Sequence, residues 1–504
     1  MPRPKDAIVK NVFWNFFGQG WLLVVAFFVT PYIVHRLGVG VYGILAFVGV
    51  VTGYFSFMEF GFGAALVKHI AQYQSQHEKE AIRRVFWSCV LVYVCLGSVG
   101  VTIMVVSAPL LIDRLFHISQ DMKALAFFVL YVGAFGFMLS MFSGVLGGAL
   151  KAVNRFDLLN RIEVLLGTGQ SGMTVMLLYN GYSVKGVILV DLCIRIVRVA
   201  TYGIFTQRTF PFLGRPCWDT KSFLTLLKYG GSVTISSIAG PVLVNTEKVF
   251  LGAVFPITAL TYYTVPYSFL LKLLIIPSAI SSVLFPAFSH YQSVRDEQTI
   301  LELYNRGTLY TILLLSFPVM FLAIFSQPFL TVWMGRDFAL HSSAVLSILA
   351  VASLINAMAY PAAVALQGLG RPSIPAAFHL LEVIIHVPVS YFLIISHGLV
   401  GAALAWLLRV VIDTALLHAA VNRLFEINSL HWYWSLAYRG FVPVFVCGLL
   451  LCAIRWSEVS LLQPVALGGL IAGGFLYGYL IWNWSLDQVA RQQIGISWTH
   501  YALK

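Results

Sequence analysis

The feature that most constrains this chain is a succession of uninterrupted apolar stretches, each close to the length that crosses a bilayer. About 20 residues of helix span roughly 30 Å, the thickness of the hydrocarbon core. Lipid offers the backbone no hydrogen bonds, so a spanning segment is a helix or part of a closed barrel. Barrel strands are about ten residues long and alternate in polarity. The stretches here are longer and continuous, so they read as helices. Composition agrees: 59% of the residues are hydrophobic and 10% are charged, against about 25% charged in a soluble domain. Too little polar surface remains to coat a globule in water.

Loop markers such as Leu37-Gly38, Asn180-Gly181, Gly335-Arg336-Asp337 and Gly370-Arg371-Pro372 divide the apolar stretches. Fourteen spans are expected, at about 11–34, 43–67, 85–110, 124–150, 162–180, 186–207, 229–254, 259–288, 308–334, 343–366, 377–395, 401–420, 439–456 and 462–483. The connecting segments reach at most about 22 residues, too short for a soluble catalytic domain, so no enzyme is expected. The N-terminus, MPRPKDAIVKN, runs into the first span without a cleavage site and reads as a retained helix. Trp432, Trp434, Trp482 and Trp484 fall at span ends, where aromatic belts form.

The net charge is +12. Most of the excess lies in short loops, which points to topology and away from nucleic acid. Alternating the loops puts 21 Lys and Arg on one side, including Lys5, Arg83, Arg84, Lys151, Arg215, Arg371 and Arg439. Six lie on the other: Arg36, Arg114, Lys123, Lys185, Arg336 and Arg455. The basic side is expected to be cytoplasmic, with both termini on it. The six cysteines show no metal-ligand spacing, so neither a disulfide framework nor a zinc site is expected, and no cofactor.

The chain also repeats itself. Lys151-Ala-Val-Asn-Arg155, Asn180-Gly181 and Gly186 recur as Gln367-Gly-Leu-Gly-Arg371, His397-Gly398 and Gly401, at offsets of 216, 217 and 215. Leu37-Gly38 recurs as Leu251-Gly252 at 214. A unit of six spans is even, so both copies enter from the same side, a parallel repeat of the kind found in transporters. The expected division is residues 1–210, residues 211–425, and two additional spans with a tail over 426–504.

Ionisable residues at membrane depth are costly and commonly face a partner or a water-filled interior. The sixth span carries Asp191, Arg195 and Arg198 on one face. Its repeat partner carries Arg409 and Asp413, with Arg409 again 214 residues after Arg195. These are candidate cavity charges or neutralising pairs within a helix. Asp191 alone does not neutralise both arginines of its span, which leaves a positive charge over. Lys272 has no acidic neighbour on its own span, and Pro266, Pro277 and Pro286 flank it. Prolines free carbonyls and permit bending, so Lys272 is a candidate substrate contact; the alternative is an ion pair with Glu59 or Glu382. Lys248 and Glu247 are adjacent, point apart and need separate partners. His379, Glu382 and His386 share a face, suited to structural pairing or to relaying protons. They lack the paired histidines of a helical zinc site. Glu59, Asp191, Glu382 and Asp413 are the candidate acids for ion coupling.

The first two spans carry a resemblance. The segments Asn11-Val-Phe-Trp14-Asn15, Pro31-Tyr-Ile-Val-His-Arg-Leu37-Gly38, Tyr42-Gly43 and Gly53-Tyr-Phe-Ser-Phe-Met-Glu59-Phe-Gly61-Phe-Gly63 follow one another in order. They are similar to the start of bacterial oligosaccharide flippases (O-antigen and exopolysaccharide), the polysaccharide-transporter branch of the multidrug/oligosaccharidyl-lipid/polysaccharide exporter superfamily. Glu59 stands where that pattern more often has Asp. The resemblance implies an all-α membrane protein of about 14 transmembrane helices, two parallel six-helix bundles around a central cavity plus two C-terminal helices. It implies movement of an undecaprenyl-diphosphate-linked oligosaccharide from the cytoplasmic to the periplasmic leaflet of the inner membrane by alternating access. Lys272, Arg195, Arg198, Arg409 and Lys248 would then meet the diphosphate or acidic sugars. Implied partners are the lipid-linked oligosaccharide, membrane lipids, polymerase and other assembly proteins, and a coupling proton or sodium ion. The competing readings are a cation-coupled drug exporter, a peptidoglycan-precursor flippase and a membrane-bound polymerase or ligase.

Overall fold

A computed structural model of the chain describes residues 4–426, 438, 440, 442–456 and 464–485. They form α1 (Pro4–Leu37), α2 (Val39–Phe55), α3 (Phe62–Ser75), α4 (Lys79–Pro109), α5 (Gln120–Ala152), α6 (Phe156–Tyr179), α7 (Val184–Thr209) and α8 (Thr220–Val254). Then come α9 (Ile257–Leu273), α10 (Ile275–Ser293), α11 (Glu297–Ile324), α12 (Ser326–Met334), α13 (Arg336–Gly368), α14 (Ser373–Leu424), α15 (Val442–Trp456) and α16 (Pro464–Leu480). The chain is a multi-pass, all-α membrane protein, with no strand among the described residues. Each of the fourteen expected spans falls on helix; the edges of the last two, and Trp432 and Trp434, lie outside the described residues.

Among the described residues, eight helical segments are long and apolar enough to cross a membrane on length and hydropathy alone. One of them, Ser373–Leu424, holds two expected spans. They are folded back at Gly398, whose φ of 59° and ψ of −130° leave the helical region. The turn is so tight that a Cβ on Gly401 would lie 1.8 Å from the Leu393 carbonyl oxygen. Helices α6, α7 and α8 fall below that threshold and carry the polar residues described below. Their amphipathic content is explained by what they pack against.

The helix starts repeat as the loop markers do: Lys79, Gln120 and Phe156 recur as Glu297, Arg336 and Ser373, at offsets of 218, 216 and 217. Helix α8 begins nine residues before its expected start, because Asp219 caps it by accepting from the Ser222 N–H at 2.8 Å.

The chain divides into two compact units, one of residues 1–265 and 379–405, the other of 266–378 and 406–504. In the first, α5 is the central helix, packed by α2, α3, α4 and α7. Its core runs from Ile44 and Phe47 through Cys89 and Met104 to Val145 and Leu260. Connectors of one parity meet at one end: His117 N–H donates to Gly252 O at 3.0 Å, and the Thr261 hydroxyl donates to Val39 O at 2.7 Å. Connectors of the other parity meet elsewhere: Trp87 Nε1 donates to Leu213 O at 2.9 Å, and Arg83 to Arg215 O at 3.3 Å. This is the gathering that alternating spans require. In the second unit α13 packs on α10, α11 and α12, over a core of Phe288, Ile312, Leu366 and Val421.

Candidate functional site

The charges of α7 are laced into the first unit. Arg195 Nε donates to Asp191 Oδ2 at 2.7 Å, one turn away, and its Nη1 donates to Ser140 Oγ on α5. Gln170 Nε2 on α6 donates to the other oxygen, Asp191 Oδ1, at 3.0 Å. The arginine stem lies against Gly136, where a Cβ would come within 3.2 Å of its Cδ. Arg198 has its own acid: its Nε stands 3.1 Å from Glu163 Oε1 on α6. That oxygen also accepts from the Tyr202 hydroxyl at 2.7 Å. The surplus positive charge expected on this face is therefore matched by Glu163, which sequence reasoning missed. A glutamate within an apolar span, on the neighbouring helix, was the available signal.

A second polar cluster is buried on α8. Glu247 and Lys248 find separate partners, as their adjacency requires. Lys248 Nζ donates to Asn245 Oδ1 at 3.3 Å, and Glu247 Oε1 lies 3.1 Å from His386 Nε2 on α14. The side chains of His386 and Glu247 are 2% and 1% exposed, so water does not screen the pair. Ser390 lies 3.2 Å from His386 Nδ1, and Tyr54 on α2 lies 3.4 Å from Thr246 Oγ1. Gly53 makes room for this group: a Cβ there would stand 3.1 Å from Asn245 Nδ2. Helices α2, α8 and α14 thus share a polar seam. His386 belongs to that seam, which its grouping with His379 and Glu382 on one helical face did not reveal.

The remaining candidates differ in setting. Glu382 is buried on α14 before the Gly398 turn. Arg409, half-buried, and Asp413, buried, lie one turn apart after it. Glu59 is exposed at the end of a 3-10 turn, with Lys151 near enough to act on it electrostatically. Lys272 is also exposed, in the last turn of α9. No carboxylate among the described residues lies within ion-pair distance of its ammonium. One residue beyond α9 the helix is interrupted at Leu274, and Pro277 follows in the first turn of α10. A lone cation at an interruption of a spanning helix is a suitable contact for an anion that arrives and leaves.

The family described as polysaccharide biosynthesis protein matches residues 36–343. A putative O-antigen transporter of Shigella flexneri is 23% identical over 424 residues, covering 83% of this chain and 98% of that one. Among solved structures, the lipid II flippase MurJ in an inward closed conformation superposes with a TM-score of 0.70 at 14% identity, over 94% of this chain and 97% of that chain. An inward-facing multidrug resistance MATE family transporter of the MOP superfamily gives 0.61 at 14% identity, over 82% and 96%. The fold is that of these membrane transporters.

Proposed function

Since the chain belongs to the polysaccharide biosynthesis protein family, we propose that it is a flippase for an undecaprenyl-diphosphate-linked oligosaccharide. The cargo moves from the cytoplasmic to the periplasmic leaflet of the inner membrane, by alternating access, for surface polysaccharide synthesis. Both termini are cytoplasmic, on the side bearing the excess of Lys and Arg. The working division is residues 1–210 and 211–425 as repeated six-helix bundles, with 426–504 added.

The observation that carries this reading is Lys272, exposed, at a helix interruption and with no acidic partner among the described residues. A permanent structural charge in a membrane is normally matched, whereas a cargo-binding charge is matched by the cargo. A diphosphate supplies the counter-charge, and Lys binds phosphate as a point charge without a fixed approach. Arg409 is the second proposed contact. Lys248, Arg195 and Arg198 have protein partners and serve the frame around it. Glu59, Asp191, Glu382 and Asp413 remain the acids proposed for coupling to a proton or sodium ion. Polymerase and other assembly proteins are the proposed protein partners.

The test is reconstitution into liposomes with a fluorescently labelled lipid-linked oligosaccharide, scored by the fraction of label crossing the bilayer. Wild-type protein moves the label, and Lys272→Ala slows it by about tenfold or more, the size of one lost charge-assisted contact. Equal rates for the two proteins overturn the assignment of Lys272. Absence of transport by the wild type for several lipid-linked glycans overturns the reading as a whole.

A further inference from the structure

The second and eighth expected spans are repeat partners, and both are interrupted. In the first, α2 ends at Phe55, a 3-10 turn covers Ser56–Glu59, and Phe60 and Gly61 take left-handed backbone with φ of 44° and 69° before α3 begins. In the second, α9 ends at Leu273 and α10 begins at Ile275. Each break carries a bond three residues back and a fresh first bond of the next helix, although Phe60 and Gly61 are left-handed while Leu274 keeps φ of −68° and ψ of −2°. Phe60 N–H donates to Phe57 O at 3.0 Å, three residues back, and Ala65 N–H donates to Gly61 O at 3.1 Å. Leu274 N–H donates to Leu271 O at 3.2 Å, three residues back, and Ser278 N–H donates to Leu274 O at 3.1 Å. Phe57 and Phe60 are related to Leu271 and Leu274 by 214 residues, the offset that relates Leu37-Gly38 to Leu251-Gly252.

The two sequences interrupt the helix by different chemistry. The first uses a left-handed pair, costing about 1 kcal/mol at the non-glycine Phe60. The second uses Pro277, which has no N–H to offer the Leu273 carbonyl. A break kept at equivalent positions, while its local backbone and its sequence cause differ, points to a use for the break itself. Each break also stands beside an exposed charge, Glu59 in one repeat and Lys272 in the other. Freed backbone groups and exposed charges at membrane depth persist only against protein or water.

We infer that Phe60–Gly61 and Leu274 are matched bending points, one in each repeat, at which the two halves of a spanning helix change their angle during the transport cycle. The halves on either side stay helical, and the φ and ψ change is absorbed at the break.

Spin labels within each helix test this without any cargo, so the result stands apart from the transport reading. Cysteines replace Ser268 and Ser289 on either side of Leu274, and in a second protein Gly49 and Gln72 on either side of Gly61, in a background lacking the six native cysteines. All four positions are exposed. Ser268 and Ser289 would be about 32 Å apart in an uninterrupted helix. The expected result is a shorter distance in two populations, collapsing to one near that length in Pro277→Ala, which restores the carbonyl's partner. Phe60→Gly, which relieves the left-handed strain, should broaden the Gly49–Gln72 distribution. In liposomes Pro277→Ala should lower the cycling rate by about tenfold. A single narrow distance in the parent that Pro277→Ala leaves unchanged overturns the inference, and so does full transport by a straightened variant. Hydrogen exchange on the unmodified chain gives the check that avoids cysteine replacement. Amides of residues 61–64 and of Ile275, Ile276 and Ser278 should exchange faster than those of α5, and equal protection overturns the inference.

Discussion

Two spans carry cations within apolar sequence, and the protein treats them in opposite ways. On α7, Arg195 and Arg198 are each met by an acid, and Ser140, Gln170 and Tyr202 complete the lattice. On α9, Lys272 has no carboxylate among the described residues within reach. The first arrangement ties α5, α6 and α7 together with bonds whose donors and acceptors are specified in advance. The second leaves a charge whose partner must come from elsewhere. Under the proposed function, residues of one charge class thus separate into frame and contact by their neighbours.

The comparison sharpens or breaks under substitution. The largest effect is expected at Lys272→Glu, which should abolish transport of a labelled lipid-linked glycan while folded yield stays at the parental level. Lys272→Arg should retain a measurable share, since the charge survives. Arg195→Gln should do the reverse: thermal stability falls by about 1 kcal/mol, in the range of polar contacts between spanning helices, and transport per folded molecule changes little. A tenfold transport loss in Arg195→Gln at unchanged stability would erase the distinction drawn here. Glu163→Gln should cost less, about 0.5 kcal/mol, because the amide still accepts from Tyr202; the thermal midpoint measures it. The smallest effects belong to two carboxylates outside the spans, the helix caps Asp219 and Asp296. Bonds from the hydroxyl and N–H of Ser222 hold Asp219 below the usual carboxylate range, and those of Thr299 do the same for Asp296. Their stabilisation is complete above the ordinary carboxylate value, about 4, and is lost as pH falls through the depressed one. Asp219→Asn should therefore flatten the acid limb of the stability profile and leave neutral pH almost unchanged.

The spans were legible because a membrane makes a strong demand on sequence: long, apolar and nearly uncharged segments have few other uses. The turn at Gly398 was readable from His397-Gly398. The interruption at Phe60–Gly61 was not, because Gly61 and Gly63 read equally well as residues for close helix approach. Pairing was legible only within a helix. Asp191 and Arg195 are one turn apart and were readable as a pair; Asn245, one turn before Lys248, was not singled out. Glu163 with Arg198 and Glu247 with His386 depend on which helices pack together, 35 and 139 residues apart in sequence, and no local period records that.

The connectors at one end of the first unit's spans have a consequence for anything that approaches that unit from there. Gly38, Phe255-Pro256 and the Gly398 turn join consecutive helices of the first unit with one or two residues, and the longer connectors at that end of the unit have four. Gly401 pressed on Leu393 leaves no slack to lengthen one of them. An antibody, a protease or a phage tail would find almost no chain to hold at that end of the first unit. A tag inserted at Gly398 should be rejected by the fold, whereas the ten-residue connector between α7 and α8 has room for one, which makes that segment the handle for any reporter of sidedness.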